Sequence, residues 1–183
     1  MKAHVGACFQ ATKLSCMLYN NPVAYGTDFL PEHIQELANE FENFQSVKES
    51  STDVRRVTAI KALVGNRLDL FVGVDDAIVE AIPVGAMGWV AGLADALPKE
   101  SVDLFNYARK GEMDKALKLY NWFLPLLRLD TVPKFVQLIK LVQEEVGMGS
   151  ARVRPPRLQL VGAELEQTKA VIQAALRDRS ILL

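Results

Sequence analysis

Short apolar runs alternate with longer amphipathic segments along the first 130 residues of the chain. The short runs begin about 20 to 28 positions apart and predict four strands: Cys16–Tyr19, Phe44–Lys48, Leu68–Gly73 and Met87–Ala91. The longer segments carry apolar residues at helical spacing and predict the helices Pro31–Glu40, Asp53–Val64 and Asp76–Val84. Strand, crossover helix and strand at this pitch are typical of βαβ units on a parallel sheet.

Two further features of these segments agree with that prediction. Several strands lack a regular alternation of apolar and polar residues, as expected when protein covers both faces of a sheet. Acidic or hydroxyl residues and a proline mark the predicted helix starts: Asp28 with Pro31, Thr52 with Asp53, and Asp75 with Asp76.

Beyond Gly92 the pattern changes to helices alone, with predicted bounds Pro98–Lys110, Met113–Arg128, Pro133–Val146 and Gly162–Arg177. We therefore divide one continuous domain at residue 97. Residues 1–97 contain the strand and helix units, and residues 98–183 contain the last helix of these units and a helical appendix. A closed (β/α)8 barrel takes about 250 residues. Four units fit either a small open α/β sheet with a helical subdomain or the C-terminal half of a barrel, and the pattern alone leaves both open.

The charge balance and the length of the apolar runs exclude several classes of partner. The 183 residues are 50% apolar and 23% charged, with a net charge of −1, which gives no electrostatic reason to expect nucleic acid or an anionic membrane. Each apolar run is shorter than the ~18 residues of a membrane span. Because no basic segment followed by an apolar stretch opens the chain, we expect no signal peptide and a cytoplasmic location.

Metal and cofactor chemistry have little support in the residue pattern. Cys8 and Cys16 lack metal-ligand spacing and are interpreted as small core residues, and His4 and His33 are too few for a histidine-built zinc site. No predicted strand is followed by a glycine-rich phosphate loop. We expect neither a metal nor a cofactor.

A lysine and a tyrosine end two neighbouring predicted strands. Lys48 follows Ser46 on one face of its strand, and Tyr19 ends the strand before it. A lysine at this place either extends to solvent or points into a dry pocket, where lost solvation frees the amine to attack a carbonyl. Neighbouring parallel strands lie about 4.8 Å apart, so the phenol could move protons for that amine, although it could equally cap the core.

Four motifs in order resemble the dihydrodipicolinate synthase and N-acetylneuraminate lyase family: MLYNNP at 17–22, VKESS at 47–51, GVDD at 73–76 and GAMGWV at 85–90. The resemblance runs from about residue 4 to the C-terminal helix. It implies a TIM (β/α)8 barrel with a C-terminal helical appendix, and Schiff-base chemistry on pyruvate or a related 2-oxo acid. The chain would then be the C-terminal half of the barrel, starting within the fourth barrel helix, Lys2–Ala11.

The same resemblance implies a role for individual residues. Lys48 would be the Schiff-base lysine and Tyr19 the proton relay of the family. Substrate binding would involve the backbone of Gly73 and Val90, the side chain of Ser50, and, as in the sugar-acid aldolase branch, Asp75 and Asp76. For the last two residues, capping of the following helix is the alternative interpretation.

One departure from the family pattern bears on the substrate. Ala24 stands where dihydrodipicolinate synthases proper carry an arginine that holds a substrate carboxylate. The segment 19–26, with Leu129–Thr131 and Arg154–Leu158, is most similar to the branch that acts on hydroxyproline breakdown products, including pyrroline-4-hydroxy-2-carboxylate deaminases. That branch is favoured here over a 4-hydroxy-tetrahydrodipicolinate synthase.

A second departure is length. The N-terminal half of the family's barrel has no counterpart here, so strand edges and an apolar face would be exposed. The exposed edges favour association with a missing N-terminal half, and the resemblance to the family implies a homo-oligomer. The alternative to a lyase is a non-catalytic α/β remnant that acts only in assembly.

Overall fold

The structure is a computed structural model that describes residues 1–182, with side chains for residues 1–179. It contains two compact units, Met1–Val90 and the chain from Ala91 onward. The first unit holds a four-stranded sheet in the order β1-β2-β3-β4, and every neighbouring pair is parallel. The predicted βαβ organisation is confirmed, whereas the predicted boundary at residue 97 stays a prediction.

The elements of the first unit alternate as the apolar pattern predicts. Its strands are β1 (Cys16–Asn20), β2 (Phe44–Glu49), β3 (Asp69–Val72) and β4 (Gly88–Trp89). Its helices are α1 (Lys2–Gln10), α2 (Pro22–Tyr25), α3 (Pro31–Glu40), α4 (Arg55–Val64) and α5 (Ile78–Ala81), with a 3-10 turn at Asp75–Ala77.

The parallel register aligns side chains from neighbouring strands in rows across the sheet. Tyr19 lies opposite Lys48, and Lys48 lies opposite Phe71. In the next row, on the other face, Asn20 lies opposite Glu49. Because side chains alternate along a strand, the sheet has a front face that carries Tyr19 and Lys48 and a back face that carries Asn20 and Glu49.

The two faces differ in burial. On the back face Leu18, Val47 and Leu70 are 6%, 0% and 2% exposed. On the front face Met17 and Tyr19 remain 43% and 40% exposed. The back face is therefore the core side of the sheet, and the front face is partly open.

An aromatic cluster fixes α1 at the start of the sheet. The ring of Phe9 stacks on Phe44 at 5.0 Å between centroids and meets Phe41 edge-on at 5.5 Å. Gly6 allows Phe41 to pack closely, because an added Cβ would lie 2.9 Å from its ring. All three rings are at least nine-tenths buried, so α1 belongs to the core of this unit.

The second unit is helical, as predicted. Its helices are α6 (Pro98–Lys110), α7 (Met113–Leu127), α8 (Phe135–Glu145) and α9 (Gly162–Leu182), with 3-10 turns at Leu93–Asp95 and Arg128–Asp130. Phe123 and Leu126 of α7 are fully buried. The indole nitrogen of Trp122 donates to the carbonyl of Ala175 at 2.8 Å, which joins α7 to α9.

Four predicted features need correction. Cys8 and Cys16, interpreted as small core residues, are exposed and partly exposed, because Gly6 and Phe9 hold the buried positions of α1 and Cys16 lies at the start of β1. The predicted helix Asp76–Val84 is shortened to α5 behind a 3-10 turn, because Pro83 and the left-handed Gly85 (φ 114°) follow directly. The strand predicted over Met87–Ala91 contains only Gly88–Trp89. Asp28 does not mark the start of a helix, because Arg56 binds its carboxylate.

No helix within residues 1–182 has the length and apolar character needed to cross a membrane.

Candidate active site

Backbone hydrogen bonds continue past the carboxyl ends of the strands. The pairs are Ser50 N–H to Asn20 O at 2.8 Å, Gly73 N–H to Glu49 O at 2.9 Å, and Val90 N–H to Val72 O at 2.9 Å. The first residue after each of β2, β3 and β4 is thus held by the neighbouring strand. These bonds fix the starting points of the loops at the edge of the sheet where ligands bind in parallel α/β proteins.

Lys48 and Tyr19 meet on the front face, as the sequence predicts. The Lys48 Nζ lies 4.1 Å from the centroid of the Tyr19 ring. Lys48 is half-buried, and among the residues whose side chains the structure describes it forms no ion pair. The sheet therefore presents an amine beside a phenol ring, and in its protonated form this amine makes a cation–π contact with the ring.

Gly73 makes room for Lys48 and Ser50. A Cβ added to Gly73 would lie 1.9 Å from Ser50 Oγ and 2.4 Å from Lys48 Cε. Ser50 is 3% exposed, and its hydroxyl has no hydrogen-bond partner among the described residues. Lys48, Ser50 and Gly73 are therefore brought together at the ends of β2 and β3.

The phenol of Tyr19 is oriented by the segment that follows β1. Asn21 Nδ2 donates to the Tyr19 hydroxyl at 2.9 Å, and Asn21 Oδ1 accepts from the Ala24 N–H at 3.0 Å. The Tyr25 ring meets the Tyr19 ring edge-on, with 5.8 Å between centroids. Because the hydroxyl oxygen accepts from Asn21, its own proton remains available to a ligand.

The remaining predicted site residues lie at the ends of β3 and β4. Val90 is 41% exposed. Its N–H donates a hydrogen bond to β3, and the N–H of Gly73 donates one to β2. Asp75 is fully buried in the 3-10 turn after β3, and Asp76 follows it. The N-cap position of that turn is Val74, so Asp75 lies within the turn and does not cap it.

The back face carries a polar network that the sequence reasoning missed. Asn20 Nδ2 donates to Glu49 Oε2 at 3.0 Å and to Asp28 Oδ1 at 3.2 Å. Arg56 binds both carboxylate oxygens of Asp28, at 2.9 and 2.6 Å, and these hydrogen bonds hold the pKa of Asp28 below its usual value of 3.8. Strand alternation could have pointed to Glu49. Because Lys48 faces the front of the sheet, its neighbour Glu49 must face the core on the back.

The loop between β2 and α4 contains a strained residue. Thr52 has φ 69°, in the left-handed region that β-branched residues avoid. Such a conformation costs about 1–3 kcal/mol and persists where the surroundings hold it. Here Glu49 Oε1 accepts the N–H of Ser51, the preceding residue, at 2.7 Å.

Comparison with known proteins identifies a family with these motifs. The sequence model described as the dihydrodipicolinate synthetase family matches residues 1–175. The 4-hydroxy-tetrahydrodipicolinate synthase of Methanococcus maripaludis is 29% identical over 182 residues, which cover 100% of this chain and 61% of that protein. The protein of the same name from Caldicellulosiruptor bescii is 32% identical over 172 residues, with 93% and 56% covered.

Solved structures share the fold. The 4-hydroxy-tetrahydrodipicolinate synthase of Methylacidiphilum fumariolicum superposes with a TM-score of 0.90 at 23% identity, covering 99% of this chain and 60% of that one. The dihydrodipicolinate synthase of Aquifex aeolicus gives a TM-score of 0.87 at 19% identity, with 100% and 61% covered. The chain spans about 60% of the length of these relatives, and the predicted fold, part of a TIM barrel with C-terminal helices, is confirmed.

Proposed function

The chain belongs to the dihydrodipicolinate synthetase family, and from this premise we propose that it carries the Schiff-base lysine and the proton-relay tyrosine of a lyase acting on a 2-oxo acid. The observation that carries the proposal is the half-buried Lys48 amine, 4.1 Å from the centre of the Tyr19 ring and without an ion-pair partner among the described side chains. Once its ammonium group has released a proton, an amine at this place can act as a nucleophile toward a ketone.

The proposed reaction starts with attack of the Lys48 nitrogen on the keto carbon. The nitrogen gives up a proton and the carbonyl oxygen takes one up, both through Tyr19, which gives a neutral carbinolamine. The carbinolamine then loses its hydroxyl as water to give an iminium. Tyr19 donates the proton that the leaving hydroxyl requires, since its phenol accepts from Asn21 and keeps its own proton free. The iminium draws electrons from the neighbouring carbon, which permits cleavage of a carbon–carbon or carbon–oxygen bond.

The surrounding residues support a small polar ligand at this place. The Ser50 hydroxyl is buried and has no hydrogen-bond partner among the residues that the structure describes, although buried polar groups are nearly always hydrogen-bonded. We assign it to the substrate, together with the backbone of Gly73 and Val90. Asp76 is proposed to meet a substrate hydroxyl, because it follows the strand that lies beside Lys48, whereas Asp75 is fully buried in the 3-10 turn and is not assigned to the substrate.

The substrate is proposed from Ala24, the third residue of α2. A short methyl side chain cannot bind a second carboxylate in the way that an arginine does. We therefore favour a cyclic imine derived from hydroxyproline, such as pyrroline-4-hydroxy-2-carboxylate. In this substrate Lys48 would attack the imine carbon in place of a keto carbon, and net uptake of one water would release the ring nitrogen as ammonia. A 4-hydroxy-tetrahydrodipicolinate synthase is the second candidate, because the matched relatives carry that name.

We also propose that the open front face is completed by further protein. Met17 and Tyr19 are about two-fifths exposed, and the chain has about 60% of the length of its relatives. Either the remaining part of a barrel or a second copy of the chain would reduce the access of water to Lys48. Sedimentation of the chain, alone and with a separately expressed N-terminal half from a relative, distinguishes these two partners.

Borohydride trapping tests the proposal. The full chain is incubated with pyruvate and sodium borohydride, and its peptides are then mapped by mass spectrometry. We expect one reduced adduct on Lys48, lost in Lys48→Arg and retained in the control Lys99→Arg, whose amine is exposed and paired with Asp103. Absence of an adduct would favour the non-catalytic alternative.

The same chain then separates the two substrate candidates. Ammonia release from pyrroline-4-hydroxy-2-carboxylate supports the deaminase. Consumption of aspartate semialdehyde together with pyruvate supports the synthase and overturns our substrate proposal.

A further inference from the structure

We propose that Glu49 and Asn20 are positioning residues, which set the placement of Lys48 and Tyr19 from the opposite face of the sheet. The inference rests on the proposed function of Lys48, because it assigns to two buried polar groups the task of holding the reacting pair. Glu49 directly follows Lys48 and Asn20 directly follows Tyr19. Because their side chains lie on the back face, both would act on the front face through the backbone.

Burial separates this pair from ordinary strand-end residues. Asn20 is 1% exposed and Glu49 is 5% exposed, although they are the last residues of β1 and β2. The ends of strands tend to fray, and a buried carboxylate is costly unless donors surround it. A sheet that ends on two buried polar groups therefore needs their hydrogen bonds to keep its last residues in register.

The hydrogen bonds of the pair are complementary. Glu49 accepts at both oxygens, from Asn20 Nδ2 at 3.0 Å and from the Ser51 N–H at 2.7 Å. Asn20 Oδ1 accepts from the Phe29 N–H at 3.0 Å. Asn20 thus joins the end of β1 to β2 and to the segment before α3, and Glu49 also fixes the turn after β2.

The Asn20–Glu49 bond bears directly on the reacting pair. Tyr19 and Lys48 face each other in the register of the same two strands, one residue earlier. A shift of the strand ends would therefore change the distance between the amine and the phenol. A misplacement of about 1 Å at a reacting group can cost about 100-fold in rate.

Two substitutions and their combination test the proposal. In Glu49→Gln the new amide can place a donor against the Asn20 donor, and in Asn20→Asp two carboxylates face each other. In the double variant a glutamine donates to an aspartate, which restores this match. The aspartate oxygen then lies near two other acceptors, Asp28 Oδ1 and the Phe29 carbonyl, and Arg56 Nη1, which donates to both of them, limits the repulsion. Glu42→Gln is the control, because Glu42 is exposed just before β2.

The first readout is the rate of borohydride trapping with pyruvate, measured with the melting temperature of each variant. We expect Glu49→Gln to trap about tenfold more slowly than the unchanged chain, and the double variant at least about threefold faster than Glu49→Gln. The control keeps the original rate. A Glu49→Gln rate within twofold of the original, or a double variant no faster than the slower single variant, overturns the proposal. Should Glu49→Gln fail to fold, Asn20→Asp takes its place in the comparison.

A second readout does not depend on the proposed function. Trace acetylation with acetic anhydride, mapped by mass spectrometry, reports the reactivity of Lys48 relative to the exposed Lys99. If the unchanged chain traps no pyruvate, the proposed function fails and acetylation decides about positioning. A change of at least about threefold in the ratio of Lys48 to Lys99 acetylation in Glu49→Gln, reversed in the double variant, supports the positioning role. An unchanged ratio overturns it.

Discussion

Replacing Gly73 by alanine would place a methyl group where two side chains already pack. The new Cβ would lie 1.9 Å from Ser50 Oγ and 2.4 Å from Lys48 Cε. Ordinary contacts between such atoms are about 3.5 Å, so the hydroxyl must retreat by about 1.6 Å and the lysine stem by about 1.1 Å. Overpacking of this kind costs about 1–3 kcal/mol.

The expected result for Gly73→Ala has two parts. The free energy of unfolding in urea falls by about 1–3 kcal/mol, because Ser50 and the stem of Lys48 cannot both keep their places. Borohydride trapping of pyruvate slows by about tenfold or more, because the amine leaves its position over the Tyr19 ring. Both quantities are measured on the same preparation of the full chain.

Gly149→Ala is the matched control for this experiment. Neither glycine has a positive φ, and a Cβ on Gly149 would lie 3.2 Å from Gln143 Cβ, which a small shift can accommodate. The control should stay within about 0.5 kcal/mol of the unchanged chain and trap pyruvate at the original rate. The reasoning is refuted if Gly73→Ala behaves as this control does, since the packing of Lys48 against Gly73 would then not exist in solution.

Three further substitutions test separate parts of the structure. Arg56 holds the pKa of Asp28 below 3.8, so the ionised carboxylate stabilises the fold above about pH 4, and this contribution is lost as the pH falls through the lowered pKa. Asp28→Asn should therefore reduce the unfolding free energy by about 1 kcal/mol at pH 6, a figure discounted for the partial exposure of the pair, and by less at pH 3. An equal loss at the two pH values contradicts this prediction. Tyr19→Phe should slow trapping by about 100-fold without changing the urea midpoint, and a rate within threefold of the original contradicts the proton-relay role. Trp122→Phe removes the bond to the Ala175 carbonyl and should lower the unfolding free energy by about 1–2 kcal/mol, while an unchanged value would show that this bond adds nothing.

The elements that the sequence predicts best are those whose ends carry local signals. The observed bounds of α3 and α6 equal the predicted ones, because Pro31 and Pro98 each open a helix and Gly111, in the left-handed conformation, ends α6. β4 has no such signal. It is only two residues long and is defined by hydrogen bonds to β3, which an apolar run alone cannot delimit.

The front of the candidate site was also accessible from the sequence. Strand alternation and strand order were enough to place Lys48 beside Tyr19. The back of the site was not accessible, because Arg56 lies 28 positions from Asp28 and Glu49 lies 29 positions from Asn20 along the chain. An acidic residue before a helix is typical of a cap, and only the folded chain shows that the Asp28 carboxylate binds Arg56 instead.

The role of Lys48 as the nucleophile is tested most directly by the position of the reduced pyruvate adduct along the chain. Tandem mass spectrometry of peptides from the borohydride-treated protein gives the occupancy of every lysine. We predict that the adduct is concentrated on Lys48 and disappears when excess pyruvate is omitted. An adduct spread evenly over the exposed lysines, with Lys48 no more occupied than Lys99, would contradict it.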